Sequence, residues 1–287
     1  MSGPTDRRGA PGRSTANELE HDGFSGDEIL LFFVSAVAAA GVTAGWARTL
    51  AGAGRVPGRR RRGPRVVLLI TPVVCLAILW AVLAAWSAGV VRGSPGYQAL
   101  FACVGVAVLG LSTWVSSVTG IGTAREVVGR GDDASAVALA GAMLGATLAY
   151  SGANVGEGAT VWMTIGPAAL GLAAWAAVWI GIEALSGASE AIAIERDLAS
   201  GWRMAGALVA SGLILGRAVA GAYESAAATV RDLVTIGWPA ALVAVATVAM
   251  QRAWRRAGAG WLWAGVTPAV GLAALAVGYV VWLGRWR

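Results

Sequence analysis

Residues 132–148 read DDASAVALAGAMLGATL, and residues 197–213 read DLASGWRMAGALVASGL. At an offset of 65 residues, Asp132 aligns with Asp197, Ala134 with Ala199 and Ser135 with Ser200. Ala140-Gly141-Ala142 aligns with Ala205-Gly206-Ala207, and Leu148 with Leu213. Each passage is an acidic turn followed by a run of small and aliphatic residues. Trp114 aligns with Trp179 one apolar run earlier, so the repeated unit is a pair of helices. A weaker copy at an offset of 59 pairs Gly201-Trp202 with Gly260-Trp261 and Ala205-Gly206 with Ala264-Gly265, and places Arg256 where the second copy has Asp197. A two-helix unit returns the chain to the side it left, so these units are parallel rather than inverted. Inverted units are common in secondary transporters, although parallel ones also occur.

Working outward, eight apolar stretches are each about long enough to cross ~30 Å of hydrocarbon at ~1.5 Å per residue. They lie near 29–48, 66–88, 98–118, 134–154, 161–185, 202–223, 233–250 and 262–283. Of the 287 residues, 57% are hydrophobic and only 13% charged, against about a quarter charged in soluble domains. The expected fold is therefore an all-α integral membrane protein of about eight transmembrane helices with tandem parallel two-helix repeats. Its organisation is read as a disordered tail (1–27), an N-terminal hairpin (28–92) and repeat hairpins at 97–155 and 160–225, with a degenerate third at 231–287. The first apolar run begins at Ile29, so no secretory leader is expected.

All 22 basic residues are arginine. With the connection 48–65 inside, that side collects Arg48, Arg55, Arg59, Arg60, Arg61, Arg62 and Arg65. It also collects Arg125, Arg130, Arg196, Arg203, Arg252, Arg255 and Arg256, twice the number on the other side. The arginine bias predicts an inner (plasma) membrane protein with both termini outside the cytoplasm. The basic balance then reflects topology and anionic lipid, not nucleic acid. Trp46, Trp86, Trp202, Trp238, Trp261, Trp282 and Trp286 fall near predicted helix ends and read as an interfacial belt.

The two acidic turns, with Ala-Ser and then Ala-Gly, resemble the bacterial membrane family called domain of unknown function 350. Asp132-Asp133-Ala134-Ser135 with Ala140-Gly141, and Asp197-Leu198-Ala199-Ser200 with Ala205-Gly206, carry the likeness over roughly 98–250. The sequence departs from the family pattern in having Asp where Asn is common, an added N-terminal hairpin and a third unit. The resemblance implies paired transmembrane hairpins, and an association with phage-shock-type membrane-stress proteins and polyamine-type enzymes. It implies no activity.

Few residues carry recognisable chemistry. The absence of lysine excludes a P-loop, a Schiff base and a Ser-Lys dyad. Cys75 and Cys103 lie in apolar runs and His21 stands alone, so no metal or other cofactor is expected, and no enzyme. Asp132, Asp133 and Asp197 each precede a helix. Their plain role is N-capping, worth ~1 kcal/mol, and the alternative is a cytoplasmic cation or polyamine site from matched carboxylates. Glu126, Glu190 and Glu195 would enlarge such a site, and Arg125, Arg130 and Arg196 would neutralise it. Arg217 falls about halfway along the stretch 202–223, where a charge costs at least ~2.5 kcal/mol. Its expected partners are Glu224, seven residues on and on the same helical face, or Glu183, Asp232 or Glu157.

Gly141, Gly145, Gly206, Gly212 and Gly216 form a small-residue stripe that favours close helix packing and self-association. Arg59, Arg60, Arg61 and Arg62 are expected to fix topology and to contact lipid heads. Two functions compete. The first is a non-enzymatic scaffold or sensor linked to membrane stress, recruiting a peripheral partner through cytoplasmic loops. The second is a channel or transporter for a small cation or polyamine.

Overall fold

The computed structural model describes residues 24–52, 62–156, 160–254 and 260–284. The secondary structure of those residues is helical, in the order α1 (Gly26–Gly52), α2 (Arg62–Ala85), α3 (Gly89–Gly93), α4 (Pro95–Val118), α5 (Ala124–Arg130) and α6 (Asp133–Ala153). There follow α7 (Trp162–Ser186), a π-helical turn (Glu190–Ile194), α8 (Leu198–Ala218), α9 (Ala226–Thr235), α10 (Pro239–Trp254), a second π-helical turn (Leu262–Val266) and α11 (Thr267–Trp282). Seven of these segments are long and apolar enough to cross a membrane. The pair α9–α10, bent by 46°, makes an eighth if taken as one broken span. The protein is a multi-pass α-helical membrane protein.

The centre is α6 lying on α8, the most extensive helix contact in the molecule. Both are 78% buried over their apolar windows. Glycine is what lets them meet. A Cβ at Gly141 would strike the Ala205 backbone, one at Gly145 the Leu208 carbonyl, and one at Gly152 the Gly216 backbone. In the other direction, Gly212 lies on the Gly145 backbone, and a Cβ at Gly201 would fall 2.5 Å from the Ala134 carbonyl oxygen. The contacts climb both helices together, so α6 and α8 run parallel with residues about 64 apart at equal height. The opposite side of α8 repeats the device, with Gly206 on the Ala269 backbone of α11 and Gly265 on the Ala199 backbone. Such approaches suit lipid, where helices associate by close packing and not by hydrophobic exclusion.

Around this row, α2, α4 and α7 cover α6, and α7 and α10 cover α8. Buried aromatic side chains anchor the layers. The Trp175 indole N–H donates to the Leu208 carbonyl at 3.1 Å, and the Tyr150 hydroxyl donates to the Phe101 carbonyl at 2.9 Å. Trp175 and Trp179 meet edge to face with centroids 5.4 Å apart, a favoured aromatic geometry. Helix α1 is peripheral. Only 6% of its apolar window is buried, and its main support is α4.

Two boundaries differ from the sequence reading. Helix α1 begins at Gly26, inside the stretch read as tail, because Asp27 and Glu28 suit the positive helix start. There Glu28 accepts the Tyr97 hydroxyl at 2.9 Å and Asp27 accepts the Trp162 indole N–H at 2.6 Å. The rest of the tail, 1–23, lies outside the described residues. Helix α8 stops at Ala218, not near 223, and the chain turns through Gly221 at φ 124°.

Candidate functional site

The two capping aspartates and a buried arginine lie at one end of the bundle, where α5, α6, the first π turn and α8 begin. That end also carries most of the described arginines outside the helix cores. Asp132 is 1% exposed and caps α6, its carboxylate accepting the Ala134 and Ser135 amides at 3.1 and 3.2 Å and the Ser135 hydroxyl at 2.5 Å. Asp197 does the same for α8, accepting the Ala199 and Ser200 amides at 3.0 Å each and the Ser200 hydroxyl at 2.5 Å. Because α6 and α8 are parallel and in register, these two carboxylates begin neighbouring helices at the same level. Both fill the capping role: each satisfies helix-start amides and places negative charge at a positive helix end. Asp133, the first residue of α6, lies against the start of α2, within 2.6 Å of where a Cβ on Gly63 would stand.

What the sequence reading missed is Arg203. It was assigned to a loop, but it lies one and a half turns inside α8 and is 1% exposed. Its Nε and Nη2 both donate to Gln251 Oε1, at 2.9 and 2.7 Å, and its Nη1 donates to the Ala264 carbonyl at 2.6 Å. Nη2 also donates to Ser200 Oγ at 2.7 Å and pairs with Asp197 Oδ2 at 3.4 Å. The Trp254 ring lies 5.8 Å from the guanidinium carbon, within cation–π range. Gln251 returns its amide to the Ser200 carbonyl at 3.3 Å. A buried charge is tolerable when its donors are satisfied and a counter-ion is near. Arg203 meets both conditions and ties α8 to α10 and to the second π turn. The repeat gives only a faint trace of it: six residues after the capping aspartate the second copy has Arg203 where the first has Ala138.

The Arg217 reading is corrected. With α8 ending at Ala218, Arg217 sits in its last turn, half-buried, not midway through a span. It lies near enough to Tyr279 of α11 to interact with it electrostatically. Glu224 is exposed in the following loop and shares no helical face with Arg217. Glu183 is at the other end of the bundle, in the last turn of α7. There its carboxylate accepts the Ser189 amide at 2.8 Å and hydroxyl at 2.6 Å, closing the turn into the π-helical segment. Asp232 lies in α9 and Glu157 outside the described residues. Arg59, Arg60 and Arg61 also lie outside them, and Arg62 is the first residue of α2. Gly141, Gly145, Gly206, Gly212 and Gly216 are all at helix–helix contacts, Gly216 against the Leu148 carbonyl.

Several charged groups remain outward-facing at the arginine-rich end. Thr123 and Glu126 form a reciprocal cap on α5, and Arg130 Nη2 holds the preceding turn through the Ile121 carbonyl at 2.8 Å. This fixes a short helix that exposes Arg125 and Glu126. The first π turn exposes Glu190, Ile194, Glu195 and Arg196, with Ile194 76% exposed. Among the described residues, no group of three or more His, Cys, Asp or Glu is arranged to hold a metal ion.

Fold and site together define a multi-pass helical membrane protein with a close-packed centre and a buried polar network at the arginine-rich end. Within it, residues 85–219 match the model of the family Domain of Unknown Function (DUF350), so that stretch is similar to this family. The match takes in α3 to α8 and stops at the end of α8, short of the third hairpin. No curated protein and no solved structure matches the chain.

Proposed function

We propose that the protein is a non-enzymatic scaffold or sensor of the inner membrane, linked to membrane stress. In this reading the arginine-rich end faces the cytoplasm, both termini lie outside, and the loops of that end recruit a peripheral partner. The observation that carries it is the contrast at that end. Asp132, Ser135, Ser200, Arg203 and Gln251 are buried and consumed in holding helices together. Arg125 and Glu126 on the capped α5, and Glu190, Glu195 and Arg196 at the first π turn, are exposed beside the exposed Ile194. A rigid base with a mixed-charge rim and an apolar side chain suits protein recognition, where complementary charge steers and selects. Backbone contact between α6 and α8 leaves no room between them for an ion, and Arg217 at a helix end does not line a midplane path.

The test is chemical crosslinking in native membranes, followed by copurification, with the double variant Glu195→Arg/Arg196→Glu. The expected result is a partner lost in this variant, while the protein remains folded and inserted. Cation or polyamine flux through purified protein in liposomes, abolished by Arg217→Ala, would overturn the scaffold reading in favour of transport.

A further inference from the structure

Helix α1 does not lie flush on α4. A groove of about 560 Å³ opens between them toward the arginine-rich end, walled by Ala38, Gly41 and Gly45 of α1 and Ala107 and Gly110 of α4. The helices touch where Gly110 receives Val42, and beside that contact the wall is made of glycine, alanine and threonine, with Thr49, Thr113 and Thr123 toward the mouth. At the mouth stand Arg48, from the last turns of α1, and Arg125, from α5. Both are exposed, and neither has a hydrogen bond or ion pair among the described residues. Trp46 lines the same groove close to that mouth, and tryptophan favours the headgroup level.

We propose that this groove binds one anionic glycerophospholipid from the leaflet on the arginine-rich side. An acyl chain lies along the Gly41–Gly45 wall, and the phosphate is held between Arg48 and Arg125. The argument is complementarity: a groove walled by glycine, alanine and threonine between two membrane-spanning helices ends in two cations with no acidic partner among the described residues. Basic pockets between transmembrane helices at such an end take anionic headgroups. Arginine also suits phosphate, because its planar fork donates two parallel hydrogen bonds. This inference is independent of the scaffold reading.

The full chain in a non-ionic detergent is titrated with dioleoyl phosphatidylglycerol, dioleoyl phosphatidylcholine or inorganic phosphate. Binding is read by native mass spectrometry and by the shift in thermal unfolding. Phosphatidylglycerol is expected to bind at one per chain and to raise the unfolding temperature above the other two. Arg48→Ala and Arg125→Ala should each weaken it about five-fold, whereas Arg196→Ala, an exposed arginine at the same end, should not. Gly45→Leu gives a second, uncharged test. A Cβ there meets nothing within 4 Å, so the side chain fills the groove without displacing protein and should abolish binding in a folded protein. Equal binding of phosphatidylcholine, equal effect of free phosphate, loss on Arg196→Ala as large as on Arg48→Ala, or full binding to Gly45→Leu would each overturn the proposal.

Discussion

Helices α6 and α1 each meet a neighbour through glycine, with opposite results. On α6, the missing side chains of Gly141, Gly145 and Gly152 let the backbone of α8 lie against it. On α1, Gly41 and Gly45 face open space, and contact with α4 is made elsewhere, by Val42 over Gly110 and by Glu28 on the Tyr97 hydroxyl. The residue type is the same and so is the four-residue spacing. What differs is the approach: the backbone of α8 fills the space beside the α6 glycines, whereas α4, although it presents Ala107 and Gly110, stands off from Gly41 and Gly45. Small residues at helical spacing therefore do not by themselves bring two backbones into contact.

The sharpest way to break this comparison is Gly145→Leu. The side chain would enter the backbone of α8 and the Trp175 indole, and overpacking against backbone cannot be relieved by a rotamer change. The expected outcome is loss of folded protein, more than ~4 kcal/mol, read by fluorescence-detected size exclusion. Next comes Arg203→Met, which leaves the buried Gln251 Oε1 and the Ala264 carbonyl without their arginine donors and removes the ion pair to Asp197. A loss of about 3 kcal/mol is expected in reversible unfolding in mixed micelles. Arg203→Met/Gln251→Leu should recover part of it, because the two side chains are coupled. Trp175→Phe removes only the bond to the Leu208 carbonyl and a little volume, and should cost about 1–2 kcal/mol in the same assay. Gly41→Ala sharpens the other side of the comparison: it should change stability by less than ~0.5 kcal/mol. A large loss there would mean that α1 packs against something in the membrane as tightly as α6 does on α8.

Much of this was legible in the sequence. The Asp-x-Ala-Ser turns and the Ala-Gly pairs that follow mark the starts of α6 and α8, because a cap and a small-residue face are local features. The apolar runs mark the spans for the same reason. Arg203 was not legible as a core residue. Its acceptors, Gln251 and the Ala264 carbonyl, lie 48 and 61 residues away, and an arginine near a helix start is ordinarily a topology signal. Arg217 was misplaced because hydropathy continues through Val219 and Ala220 after the helix has ended, and only the backbone shows where α8 stops. The break between α9 and α10 was hidden in the same way. Pro239 marks it, but the apolar residues on both sides read as one run.

The parallel row of α6, α8 and α11 has a geometric consequence. Helix α8 uses one face, with Gly201, Gly212 and Gly216, toward α6, and a different face, with Gly206, toward α11. Such head-to-tail stacking does not close on itself, unlike a two-fold contact in which one patch meets its own copy. An open row can be lengthened by inserting another hairpin, and it needs something at each end to stop it. Helix α2 covers the far side of α6, so the N-terminal hairpin terminates the row there as a capping repeat terminates a solenoid. The other end is α11, whose outer surface exposes Leu275, Val281 and Trp282 to lipid.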